Sequence, residues 1–81
     1  MPHYDLCLAW NWEYDRDFVN LLEAACARAC LTFFSVTTEN LDSTLAGLSS
    51  GDITFTAFID RASESDPRFQ PLVDWARRHS I

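Results

Sequence analysis

The sequence predicts an α/β fold: one three-stranded parallel sheet in the order 2-1-3, with flanking helices. Three observations carry this reading. Apolar, strand-like runs recur at Tyr4 to Trp10, Leu31 to Val36 and Ile53 to Ile59. Each ends in a polar cluster, Asn11 to Asp15, Thr37 to Asn40 and Asp60 to Asp66. Segments of helical periodicity follow the clusters, and strand–helix alternation packs as a parallel sheet between helices. Right-handed crossovers then place the first strand in the middle.

The first helix is expected from about Asp15 to Ala29, with Asp15 or Asp17 in its capping turn. Phe18, Leu21, Leu22, Ala25 and Ala29 recur at helical spacing and form its expected core stripe. No Gly follows it, so an irregular end is expected at Cys30. Thr37 or Thr38 is expected to cap the second helix, whose stripe is Leu41, Leu45 and Leu48. Ser49-Ser50-Gly51-Asp52 stops that helix and turns into the third strand. Thr54 and Thr56 alternate with apolar residues there, so one face is expected to be less buried. Pro67 or Pro71 opens the last helix, where Phe69, Leu72, Val73 and Ala76 share a face.

Eighty-one residues without an internal linker or repeat make a single small domain, residues 1–81. The third strand's edge carries neither Lys nor Pro within its apolar part, and a fourth strand is missing where one would be expected. The chain is therefore expected to be the N-terminal part of a larger protein, or a domain that completes its sheet by association.

The formal net charge is -6, and all six basic residues are Arg. That balance argues against nucleic acid, which needs clustered positive charge, and against anionic membranes. No run approaches the ~20 apolar residues of a membrane span, and no signal peptide is visible, so the expected location is the cytoplasm. Cys7, Cys26 and Cys30 are odd in number and sit on segments read as core-facing, which predicts reduced, buried thiols.

In sheets of this kind ligands bind at the carboxyl ends of the strands, beside the central strand. The candidate binding residues are therefore Asn11, Trp12, Glu13, Asp60 and Arg61. Trp12 offers a flat surface, Asn11 and Glu13 offer hydrogen bonds, and Arg61 offers a fork of donors for a carboxylate or phosphate. The competing reading makes Asn11 to Asp15 a helix cap and pairs Arg61 with Glu64 or Asp66 on the surface. Glu13, Asp15, Asp60, Glu64 and Asp66 are rich in oxygen, but no spacing signature marks them as a Mg²⁺ site. Neither a nucleophile motif nor a Gly-rich phosphate loop is present, and no Lys is available to hold phosphate. Asp60 at a strand end is also where a phosphoreceiver would carry its acceptor, but that chemistry needs the missing Lys. No catalytic residue, metal ligand or cofactor is expected within the chain itself.

The stretches Tyr4 to Asp15, Phe18 to Ala25, Val36 to Leu41 and Asp60 to Phe69 together resemble the N-terminal, Rossmann-like domain of bacterial ATP-grasp proteins. The resemblance spans almost the whole chain. It implies an accessory domain that helps form the substrate cleft of an ATP-dependent carboxylate–amine ligase. ATP and Mg²⁺ would then belong to a downstream catalytic domain, which would be the partner, and the cleft would take a small polar substrate. The alternative from the open edge is a stand-alone interaction module that pairs as a homodimer.

Overall fold

The computed structural model describes residues 3–79 and 81. Its elements are β1 (His3–Trp10), α1 (Arg16–Arg28), β2 (Phe33–Val36), α2 (Leu41–Ser50), β3 (Thr54–Arg61) and α3 (Gln70–Arg78). The 3-10 turns Glu13–Asp15 and Pro67–Phe69 precede α1 and α3. The strands form one parallel sheet in the order β2-β1-β3, as the sequence predicts. Leu8 lies opposite Ser35 on one side and Ile59 on the other. No helix among the described residues is long and apolar enough to cross a membrane.

Among the described residues β1 is the only interior strand, and Cys7, Leu8, Ala9 and Trp10 are all buried. Their side chains alternate, so both faces of the sheet need a cover. Leu8 and Trp10 pack with Val19 and Leu22 of α1, and with Phe33 and Ile59 of the neighbouring strands. Cys7 and Ala9 face the larger cluster, with Val36, Leu41, Leu48, Phe55, Phe69, Leu72 and Trp75. One helix thus covers one face, while α2 and α3 share the other. The alternation slips once in both outer-paired strands. Tyr4 and Phe55 join the same cluster as Cys7 and Phe58, and Asp5 drops out of the register between them. On β3 the slip leaves Thr56 and Ala57 both exposed.

The core faces of α2 and α3 are as expected, with Thr44 and Trp75 added. That of α1 is not. Val19, Leu22 and Cys26 face the sheet, whereas Phe18, Leu21, Ala25 and Ala29 are exposed. The helix carries two apolar stripes roughly 100° apart at 3.6 residues per turn, and the sheet takes the one through Val19, Leu22 and Cys26, of which only Leu22 belongs to the expected stripe. Val19 and Leu22 meet Leu8 and Trp10 there. The start of α2 also differs: Asn40, not a threonine, stands at the N-cap. Its side chain accepts from the Thr37 amide at 2.8 Å and donates to the Ser35 carbonyl at 2.9 Å, folding the loop back on β2.

Both α1 and α2 end in Schellman motifs. In α2 the Asp52 amide donates to the Gly47 carbonyl at 2.8 Å and the Gly51 amide to Leu48 at 3.3 Å, with Gly51 at φ 83°. In α1 the Leu31 amide donates to Cys26 at 2.8 Å and the Cys30 amide to Ala27 at 3.2 Å. The left-handed residue here is Cys30, at φ 60°. The end is ordered rather than irregular, and it lifts Cys30 out of the core into solvent. Only Cys7 and Cys26 are buried thiols, and burial pushes Cys7 up to about 12. Gly47 serves a second purpose: a Cβ there would come within 2.6 Å of Ile53 Cδ1, which packs against the helix.

A Cβ in the left-handed region costs roughly 1–2 kcal/mol that Gly does not pay. Cys30→Gly is therefore expected to raise the unfolding free energy by about 1 kcal/mol, measured by urea denaturation. An unchanged or lower midpoint would contradict the strain at this position.

Candidate functional site

The chain leaves β1 toward α1 on one face, and leaves β3 toward α3 on the other. The carboxyl ends of these adjacent strands therefore part, and a crevice opens between them. An open cleft of about 590 Å³ lies there, lined by Asn11, Trp12, Asp15, Asp60, Arg61, Ala62, Glu64 and Ser65. Four of the five candidate residues meet in it. Glu13 does not: the 3-10 turn places it in a neighbouring cleft of about 410 Å³ at the ends of β1 and β2, with Arg16, Ser35, Thr37, Thr38 and Glu39. Asn11 borders both.

Asn11, Asp15, Asp60 and Arg61 in the main cleft are already engaged. Arg61 Nη2 donates to Asp15 Oδ1 at 2.8 Å, not to Glu64 or Asp66. Asp15 stands at the N-cap of α1, yet makes no capping bond, because its buried carboxylate turns to Arg61. That hydrogen bond, with the charge behind it, raises the Arg61 pKa. The guanidinium carbon of Arg61 also lies 4.9 Å from the Phe18 ring centre. Asp60 folds back on its own loop, accepting from the Ala62 amide at 3.0 Å, the Ser63 amide at 2.9 Å and the Ser63 hydroxyl. Burial pushes Asp60 upward, but those hydrogen bonds and the charge of Arg77 outweigh it and hold the carboxyl below its usual range.

Asn11 Nδ2 donates to Asp66 Oδ2 at 2.9 Å, tying the loop after β1 to the loop after β3. Asp66 caps the last 3-10 turn through the Arg68 amide and meets the Arg68 side chain at 2.6 Å. The Arg68 hydrogen bonds hold the Asp66 carboxyl low against its partial burial. Trp12 is different: 59% of it is exposed, and its one aromatic neighbour among the described residues is Tyr14, 5.0 Å away between ring centres. Sequence reasoning missed Asp15, because a carboxylate just before a helix reads as a cap. Nothing local marks its partner 46 residues on.

The five acidic residues rich in oxygen do not converge. Among the described residues no three His, Cys, Asp or Glu side chains form a metal-ready group. The cleft is instead a shallow, net acidic recess with one exposed ring at its lip: Asp15, Asp60 and Glu64 against Arg61.

Comparison with family models, with curated proteins and with solved structures finds no match for the chain.

The side chains divide into anchors and one free surface, and this predicts unequal mutants. Trp12→Ala is expected to leave the melting temperature nearly unchanged, whereas Arg61→Ala strands the buried Asp15 carboxylate and lowers it. Equal effects in a thermal melt would refute the division. The acid limb follows from the same groups. Asp60 and Asp66 are held below their ordinary value of 3.8, so their contribution is fully present above that pH and is lost as pH falls through the lowered folded values. Asp66→Asn is expected to be less stable at neutral pH and to lose less on acidification, read from urea midpoints between neutral and acid pH.

Proposed function

We propose that this chain is an accessory, non-catalytic α/β domain of an ATP-dependent carboxylate–amine ligase of the ATP-grasp kind, and that its switch-point cleft forms one wall of the substrate site. The observation that carries the reading is the state of the cleft's polar groups. Arg61, Asp60 and Asn11 are each bound by the chain's own residues, so they shape the recess and supply no reacting group. The family resemblance supplies the reaction class, in which an acyl-phosphate forms on a separate catalytic domain.

The electrostatics suit one of the reactants better than the others. Three carboxylates face one guanidinium in the cleft, so a polyphosphate is repelled there and an ammonium group is attracted. Asp15 takes only Nη2 of Arg61, which leaves other guanidinium N–H groups for a carboxylate or carbonyl on the same molecule. Trp12 lends a flat apolar surface at the rim. The cleft thus favours a small, polar, amine-bearing substrate, with ATP and Mg²⁺ held by the catalytic domain.

In the protein that joins this chain to its catalytic domain, Trp12→Ala is expected to raise the KM of the amine substrate on the order of tenfold, with kcat and the KM of ATP little changed. A selective rise in the KM of ATP, or no kinetic change at all, would sink the proposal.

A further inference from the structure

The connections part on both sides of β1, not on one. The chain leaves β1 toward α1 on one face of the sheet, and leaves β2 toward α2 on the other face, where α3 also lies. The second cleft, of about 410 Å³, is therefore a crevice of the same topological kind, between the carboxyl ends of β1 and β2. Asn11 borders both clefts, but their charges are arranged differently.

In the main cleft Arg61 is neutralised by Asp15. In the second, Arg16 makes no salt bridge among the described residues, although Glu13 and Glu39 line the same recess. Its guanidinium lies instead over the Trp10 ring, with its carbon 4.9 Å from the ring centre. Trp10 is buried, and its Nε1–H donates to the Ser35 hydroxyl at 2.7 Å, so the ring is a fixed platform. A guanidinium already laid on such a platform loses little freedom when it takes a carboxylate. Hydroxyls stand on the β2 side of the recess, from Ser35, Thr37 and Thr38. Ser35 accepts from Trp10, and Thr37 accepts from the Glu39 amide at 3.3 Å, so each keeps its own proton to donate. The recess thus holds charges of both signs that do not neutralise each other.

We propose that this second cleft binds a small zwitterion of the amino-acid class. Arg16 and the β2-side hydroxyls take its carboxylate, and Glu13 and Glu39 take its ammonium group. The pattern of charge selects this class over its competitors. A phosphate is set against two carboxylates and a single guanidinium, and the sequence has no Lys to offset them. A simple carboxylate meets Arg16 but is repelled by Glu13 and Glu39, and a simple amine meets the glutamates but is repelled by Arg16. A molecule that carries both charges is complementary to both poles of the recess. The site is separate from the substrate wall proposed above, because Arg16, Glu13 and Glu39 lie outside the main cleft.

The test is a titration of the chain with L-alanine, followed by heteronuclear NMR of the amide and indole N–H groups, with acetate, ethylammonium and inorganic phosphate as separate probes. L-alanine is expected to give saturable shifts of the Trp10 indole and of the amides of residues 35–39, with a dissociation constant on the order of 1 mM. Acetate and ethylammonium are expected to bind about tenfold more weakly, and phosphate to leave these signals in place. Arg16→Gln is expected to weaken L-alanine on the order of tenfold, with the rest of the spectrum kept, since Arg16 is exposed and unpaired. Glu13→Gln together with Glu39→Gln is expected to weaken L-alanine and to tighten acetate. No shift at about 50 mM L-alanine overturns the proposal. So does acetate or phosphate that binds as tightly as L-alanine, and so does binding that Arg16→Gln leaves unchanged. Shifts confined to the Trp12 indole and residues 60–65, and lost in Trp12→Ala, also overturn it, because they place L-alanine in the main cleft and leave the substrate-wall reading standing. Unchanged kinetics in Trp12→Ala would sink that reading without touching this site, so the two proposals fail separately.

Discussion

Burial of Cys7, Leu8, Ala9 and Trp10 on both sides of β1 is the constraint from which the rest of the structure follows. A strand that is apolar on both faces must be interior, and in so short a chain only one strand is. With β1 in the middle, the connection to β2 takes one face and the connection from β2 to β3 takes the other, both right-handed. The cleft is a consequence of that routing. It opens where the two connections part, and the residues at the ends of β1 and β3 line it whatever their chemistry.

That dependence explains which parts of the fold were legible in the sequence. The apolar run from Tyr4 to Trp10 marked the first strand, and right-handed crossovers placed it in the middle. Leu41, Leu48, Leu72 and Ala76 were legible because each of their helices has a single apolar stripe. α1 was legible only at Leu22, because periodicity alone does not choose between two adjacent apolar stripes, and the choice is made by the packing against Leu8 and Trp10, a tertiary quantity. Cys30 was misplaced for a related reason. Its burial was inferred from its type, but the Schellman geometry requires a left-handed residue there and turns its side chain outward.

The candidate site was legible in position and not in role. Asn11, Trp12, Asp60 and Arg61 meet because topology brings loop ends together, and the sequence pattern encodes topology. Their partners are another matter. Asp15 and Asp66 are reached across 46 and 55 residues by Arg61 and Asn11. Both acids stand just before helical turns, so local logic assigns them to caps. Asp66 does cap its turn and also takes Asn11 and Arg68. Asp15 abandons the cap for Arg61, because a buried carboxylate gains more from a charged donor than from one amide. The outcome is a cleft whose walls are cross-linked by hydrogen bonds, with the exposed Trp12 ring at its rim.

This division bears on how so small a domain keeps a stable recess. A recess with unpaired polar walls is costly when the core is thin, because each unsatisfied group subtracts from a small margin. Pairing Arg61 with Asp15 and Asn11 with Asp66 removes that cost, and the same pairs clamp the β1 loop to the β3 loop. Asp60 and Asp66, whose carboxyls are held low by hydrogen bonds, are poor proton acceptors. The apolar flank of α1 follows the opposite logic. Phe18 is partly covered by the Arg61 guanidinium, whereas Tyr14 and Leu21 stay largely in water and contribute little to the stability of the single chain.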